Sequence, residues 1–364
     1  MNQRLKGVMN WLAEKQIDMA FVQTKANVFY LSKFYTEPHE RLVGIVIFPT
    51  SEPILICPNM EKPQAKAAGW EYEIISYSDS ENPWHLLEQR LKKQHSSVNT
   101  IAIEKEHISY TRANALLSIY PEGNLVSVEE KLYSLRLIKD DGELAILKQA
   151  AKLADYGVEV GVNAIKAGKC EMDVLALIEY ELKKKGIREM SFSTMVLTGA
   201  KSADPHGNPG LTEIKRGDFV LFDLGVVLDG YCSDITRTVA FQDISEKQRE
   251  IYQTVLGAQL QALSVCKIGT RIGDIDLAAR NYINDAGYGD YFPHRIGHGL
   301  GIEVHEFPSM SENNNDLLQE GAVFTVEPGI YVPNIGGVRI EDDIVITKDG
   351  FESLTSFPKE LIIV

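Results

Sequence analysis

Residues 219–240, FVLFDLGVVLDGYCSDITRTVA, constrain this chain more than any other stretch. Two apolar runs flank an Asp229-Gly230 pair, a strong signal for a two-residue hairpin turn, because both central positions of that turn need φ above zero. Such a turn sets the register: paired positions sum to 459, so Asp234 lies opposite Gly225 and Asp223 lies two residues along on the same face. Diagonal neighbours of that kind are about 7–8 Å apart at the backbone. Two carboxylates gathered on the inner face of an apolar hairpin are costly unless a cation neutralises them. The hairpin is expected to hold metal.

At 364 residues the chain is too long for one ordinary small core, and two domains are expected. A hydrophobic fraction of 44% with 24% charged residues is that of a soluble globular protein. The net charge of −14 and a pI near 5.1 argue against nucleic acid and anionic membrane surfaces as partners. No apolar run approaches the ~20 residues that span a bilayer. The first residues, MNQRLKGVMNWLAEKQ, carry charge where a secretory signal needs its apolar segment. Cys57, Cys170, Cys232 and Cys266 are scattered without a CxxC pair, the pattern of reduced thiols in a cytoplasmic protein. Alternation turns Cys232 away from the Asp face, so it is expected to pack.

Residues 1–131 read as an α/β domain and 132–364 as a second domain, with the boundary near 132–139. Leu5, Val8, Met9 and Leu12 mark an amphipathic first helix, followed by strands expected at 19–22, 42–48, 53–57, 72–76, 100–103 and 125–128. Helices are expected around 84–91 and 113–118. Asp140-Asp141-Gly142-Glu143 has capping-box spacing at the start of a helix to about Ala164, a second helix covers 172–185, and 194–198 reads as a strand. Ser245-x-x-Gln248 caps another helix reaching about Cys266, and 272–286 forms one more. From Tyr291 onward strands and turns dominate. Within the first domain only Tyr35-Thr36-Glu37-Pro38-His39-Glu40-Arg41 is dense in titratable groups, and by composition it reads as a solvated turn.

Three acid or histidine elements follow the hairpin. In FPHRIGHGLGIEVHE (292–306), His294 and His298 have the i, i+4 spacing of a helical metal pair, but Gly297, Gly299 and Gly301 disfavour a helix. Read as a strand, the two histidines face one way, with His305 reaching them after a bend. In TVEPGIYVP, Glu327 ends an apolar strand. In GGVRIEDDIVIT, Arg339 and Glu341 share a face, and by themselves they read as a salt bridge. A lone buried histidine is more often a hydrogen-bonded core residue than a ligand. Together, though, Asp223, Asp234, Glu327, Glu341 and a histidine form a set that no core accommodates without compensating charge. The set is rich in oxygen and lacks thiolate, which suits a pair of Mn²⁺, Co²⁺ or Zn²⁺ ions, Mn²⁺ first on ligand hardness. Bridging carboxylates would hold two such ions about 3.5 Å apart with a shared hydroxide.

Asp223, the eleven-residue step to Asp234, His298 in HGLG, Glu327 in VEPGIY and Glu341 in GGVRIED resemble the pita-bread metallopeptidase family, which includes methionine aminopeptidase, aminopeptidase P and prolidase. The likeness spans essentially the whole chain, since the N-terminal α/β domain is similar to the creatinase/prolidase type. It implies an α+β pita-bread catalytic domain in which Asp223 chelates one metal, Asp234 and Glu341 bridge, and His298 and Glu327 hold the second. Glu327 would also accept a proton from the attacking water. By the same resemblance His206 and His305 stabilise the oxyanion, while His294 and Arg339 match positions that contact substrate or support the ligands. The loop at Glu37-Pro38-His39 is similar to one in lactic-acid-bacterial prolidases that reaches over the partner's site, which brings His39 in as a substrate contact and implies a homodimer. Some prolidases carry an arginine after the His-Glu-aromatic-Pro word; here Ser309 follows His305-Glu306-Phe307-Pro308, so recognition of the substrate carboxylate would fall to Arg339, His39 or Arg41. The expectation is an Xaa-Pro dipeptidase. Aminopeptidase P is the alternative; creatinase-type amidinohydrolases and non-catalytic binding relatives lose the metal carboxylates that are present here.

Overall fold

The strands expected in the first third of the chain form one mixed sheet. In the computed structural model, which describes residues 2–364, β1 (Met19–Val22), β2 (Gly44–Ile47), β3 (Ile54–Pro58), β4 (Glu73–Tyr77), β5 (Thr100–Ile103) and β6 (Asn124–Ser127) run in the order β4-β3-β2-β1-β5-β6. The β1–β2 and β2–β3 pairs are antiparallel, and the other three are parallel. Helix α1 (Gln3–Lys15) buries Leu5, Val8, Met9 and Leu12, the stripe its sequence period predicts. Helix α2 (Lys25–Ser32) has no such stripe because it is buried on most sides, which is why periodicity does not reveal it. Its start is fixed instead by the buried Glu104, which accepts hydrogen bonds from the Gln23 and Thr24 amides and from Asn27 Nδ2. Helices α3 (Lys62–Ala67), α4 (Pro83–Gln94), α5 (Tyr110–Ile119) and α6 (Glu129–Leu137) complete this part. The chain divides into two units between Arg136 and Leu137.

The second unit begins with α7 (Asp141–Ala164), whose capping box is formed as the spacing predicts: Glu143 N donates to Asp140 Oδ1 and Asp140 N to Glu143 Oε2, both at 2.9 Å. Helix α8 (Glu171–Lys184) packs beside it, and Gly161 lets α7 approach Phe222 so closely that a Cβ there would lie 2.7 Å from the ring. Helices α9 (Glu246–Ser264, with the Ser245/Gln248 capping box) and α10 (Ile272–Asp285) form a second helical layer. The strands are β7 (Glu189–Met190), β8 (Met195–Thr198), β9 (Phe219–Leu224), β10 (Val226–Leu228), β11 (Tyr231–Cys232), β12 (Ile235–Ala240), β13 (Gly297–Gly299), β14 (Glu306–Met310), β15 (Val323–Val326), β16 (Gly329–Val332), β17 (Gly336–Arg339), β18 (Asp342–Thr347) and β19 (Gly350–Ser353). Two cores result. Val158 and Ile178 pack with Phe222 and Leu224 in one, and Val255, Ile275 and Ala279 with Phe324 and Ile344 in the other. The strands that meet between these helical layers carry the site. Among the described residues, no helix is long and apolar enough to cross a membrane.

Candidate metal centre

The central hairpin has the register its turn dictates, with Thr236 opposite Asp223, Ile235 opposite Leu224 and Val227 opposite Cys232. Asp229 and Gly230 both have positive φ, 47° and 84°. Gly225 and Asp234 form a pair whose backbone groups face away from each other, toward neighbouring segments. The Gly225 carbonyl accepts from Ser191 N at 2.9 Å, while Asp234 N donates to Asp343 Oδ2 at 2.9 Å. The backbones pass so closely here that a Cβ on Gly225 would sit 1.8 Å from the Ser233 carbonyl oxygen. Beyond that pair the second arm meets the β17–β18 junction, where Glu341 N donates to Thr236 O at 3.1 Å.

This junction assembles the cluster. Asp234, His298 and Glu341 are buried and present ligand atoms within 4.8 Å of one another. His298 Nε2 lies 3.7 Å from Asp234 Oδ2 and 3.4 Å from Glu327 Oε1. Its Nδ1 is 3.2 Å from the Gly299 carbonyl, an acceptor only, which places the proton on Nδ1 and leaves the Nε2 lone pair facing the carboxylates. Asp223 is held by Arg339, whose Nη2 donates to Oδ2. The spacing of Arg339 and Glu341 invites a local ion pair, but the two part company. Glu341 accepts from the Thr236 hydroxyl at 2.6 Å, and Arg339 reaches Asp223, Thr236 and Tyr331. A cavity of about 430 Å³ is lined by the four acids Asp223, Asp234, Glu327 and Glu341 and by His298, together with His206, His294, His305, Arg295 and Arg339. Of the candidate residues, His39 belongs to the N-terminal unit, on an exposed loop with φ 53°.

The electrostatics are those of an anion cluster awaiting positive charge. Burial, then repulsion from Glu341 and Asp223, raises the Asp234 carboxyl well above its ordinary value, and burial with Glu327 and Asp223 does the same to Glu341. Glu327 is pushed up to about 7, chiefly by burial, against the opposing pull of Arg339. Burial lowers His298 to about 3 and His294 to about 4, so both rings are neutral at pH 7. Asp234 Oδ1 is buried without a hydrogen-bond partner. Four carboxylates, a neutral imidazole and an orphaned oxygen fit divalent cations, the one neutraliser that would leave all four acids ionised.

Several residues that support the site carry no warning in the sequence. Tyr331 sits within an apolar word, yet its hydroxyl accepts from Arg339 Nη1 at 2.8 Å and so donates to His294 Nε2 at 2.9 Å; His294 Nδ1 in turn donates to the Arg295 carbonyl. Arg237, in the hairpin word DITRTVA, is almost fully buried. It donates to the backbone carbonyls of Thr236, Glu341 and Phe357 and to Asp342 Oδ1 at 2.7 Å. Lys359 closes the other side of Asp342 at 2.5 Å. Burial opposes ionisation of Asp342, but Arg237 and Lys359 outweigh it and hold the carboxyl below its usual range. The only sequence signal for this buttress is the acidic run Glu341-Asp342-Asp343, in which three adjacent acids take three different partners.

A two-unit chain with this cluster between paired helical layers has the architecture of a creatinase-type N-terminal domain followed by a pita-bread metallopeptidase. The profile of "Metallopeptidase family M24" matches residues 145–348, and that of the "Creatinase/Prolidase N-terminal domain" matches residues 4–138. The chain belongs to metallopeptidase family M24. It is 61% identical over 360 residues to "Putative dipeptidase YkvY" of Bacillus subtilis (strain 168), covering 99% of both chains. Among solved structures it is similar to the prolidase from Pyrococcus horikoshii OT3 (35% identity, TM-score 0.91, covering 99% of this chain and 100% of that one). It is also similar to the Xaa-Pro dipeptidase from Bacillus anthracis (34%, TM-score 0.93, 100% and 99%) and the X-Pro aminopeptidase from Thermotoga maritima MSB8 (32%, TM-score 0.87, 97% and 99%).

Proposed function

We propose that this metallopeptidase hydrolyses Xaa-Pro dipeptides with two divalent metal ions, Mn²⁺ first on ligand hardness and Co²⁺ or Zn²⁺ as the alternatives. The observation that carries the reading is the convergence of Asp223, Asp234, His298, Glu327 and Glu341 on one cavity. Asp223 would bind one ion, His298 and Glu327 the other, and Asp234 and Glu341 both. Bound there, the ions would supply Lewis acidity toward the substrate carbonyl and an activated water between them. Glu327 would take the proton of the attacking water at its carboxylate and pass it to the proline nitrogen as the C–N bond breaks. His206 and His305 would face the charge developing on the carbonyl oxygen. His294 would orient the substrate, and Arg339 would act through its bonds to Asp223 and Tyr331. A bond to proline is a tertiary amide with no N–H, so a site that polarises the carbonyl rather than gripping a donor suits it.

The names of the relatives support a dipeptidase, while the X-Pro aminopeptidase similarity keeps aminopeptidase P as the second reading. All four cysteines are free, which supports a cytoplasmic enzyme. A homodimer in which the exposed loop at His39 serves the partner's site belongs to the same proposal. The deciding experiment is hydrolysis of Ala-Pro against Ala-Pro-Ala in Mn²⁺-supplemented buffer with a chelator control. Cleavage of the dipeptide alone, abolished by chelator, is expected; preference for the tripeptide would make this an aminopeptidase P. In the same assay His39→Ala should raise KM for Ala-Pro, and an unchanged KM would remove the loop from the site.

A further inference from the structure

Two guanidinium groups line the cavity, and they are not in the same state. Arg339 is 4% exposed, and all three of its nitrogens donate within the protein, to Asp223, Tyr331 and Thr236. Arg295 is exposed, and its side chain donates to a neutral group, the Ser309 hydroxyl, from Nη1 at 3.0 Å. No carboxylate among the described residues lies within ion-pair distance of it. Nearby Arg280, by contrast, is locked onto Asp276 at 2.7 Å. Ser309 is the cross-strand partner of His298, so the Arg295–Ser309 contact lies one strand away from the cluster. Arg295 therefore presents open N–H donors to the cavity.

We propose that Arg295, steadied by Ser309, is the specificity-determining residue that binds the substrate's C-terminal carboxylate. The inference rests on the dipeptidase reading and deepens it. A guanidinium and a carboxylate meet through two parallel charge-assisted hydrogen bonds, whereas the amide that replaces the carboxylate in a longer peptide offers a single neutral oxygen acceptor. A site with this group favours chains that end one residue after the scissile bond. Arg339, buried and engaged at all three of its nitrogens, is not available for that task.

The test uses full-length Mn²⁺-loaded enzyme with Ala-Pro and its C-terminal amide, together with calorimetric binding of L-proline and L-prolinamide. Arg295→Gln is expected to lower the ratio of kcat/KM for Ala-Pro over the amide by about 10- to 100-fold, the range for losing a charge-assisted hydrogen bond. The loss should appear in KM, and proline binding should weaken by a similar factor while prolinamide binding does not. Arg295→Lys should recover part of the ratio, and Ser309→Ala should lower it by less than Arg295→Gln does. Equal effects on acid and amide, or none on either, would overturn the role of Arg295 and leave the dipeptidase reading standing. Wild-type enzyme inert toward Ala-Pro would overturn both.

Discussion

Glu327 concentrates the chemistry of the site at a single side chain. Burial pushes its carboxyl up to about 7, Arg339 opposes the shift and Asp223 adds to it, and its Oε1 stands 3.4 Å from His298 Nε2. In the proposed reaction this carboxylate binds metal and takes a proton, and its amide cannot take the proton and would be a weaker, neutral ligand. Glu327→Gln is expected to lower kcat by about 10²–10⁴-fold, the range for removing a general base. Stability should be preserved, because the substitution is nearly isosteric and deletes one of four crowded acids. Steady-state kinetics and thermal unfolding of the variant check this; substantial retained turnover would rule out the role. At this scale the acids were legible, since a carboxylate in an apolar word needs a reason. Their partners were not. Arg339 looks local to Glu341 but bonds Asp223, 116 positions away, because the Thr236 hydroxyl already engages Glu341.

Among the elements, the hairpin shows how much a turn can specify. Asp229-Gly230 demands positive φ at both positions, and that alone sets every pair from Cys232–Val227 to Ala240–Phe219. The partners of the outward-facing Gly225 carbonyl and Asp234 amide were not legible, because Ser191 and Asp343, remote in sequence, supply those contacts. Gly225→Ala would drive a Cβ into the Ser233 carbonyl. It is expected to cost about 1–3 kcal/mol or more, as overpacking does, and to weaken Mn²⁺ binding by displacing the neighbouring Asp234. Urea unfolding combined with metal titration measures both, and wild-type values for the two would refute the close-approach argument. Helix α2 marks the opposite limit of sequence reading: buried on most sides, it has no polar stripe to reveal it.

For the whole molecule, the cluster links stability to pH and metal. Asp234, Glu341 and Glu327 have raised folded-state pKa values, so without metal the folded chain holds protons that the unfolded chain has released. Their contribution is fully present below the ordinary carboxylate range and is lost as pH rises through each folded value, about 7 for Glu327. The lowered histidines act in the other direction, but only below about pH 6.5, where unfolded histidine gains a proton. Between pH 6.5 and 8.5 the carboxylates therefore dominate. Each retained proton makes metal-free stability fall by about 1.4 kcal/mol per pH unit, or about 3–6 °C in Tm for a domain of the second unit's size. Metal-loaded protein, whose ligands are ionised throughout, should not show that fall. Differential scanning calorimetry with chelator and with Mn²⁺ checks the prediction; parallel Tm curves across that range would refute it.

By itself the sequence determined most of the elements and marked the acids of the cluster. Periodicity, capping boxes and an Asp-Gly turn act over a few residues, and each acid in an apolar word announces a charge that must be met. The tertiary structure decided which charges meet. It set Arg339 on Asp223, separated Asp342 into a buttress with Arg237 and Lys359, and left Arg295 with a hydroxyl in place of a carboxylate. Those choices depend on distances across strands far apart in the chain, where burial raises the energetic consequence of every pairing, and no local pattern encodes them.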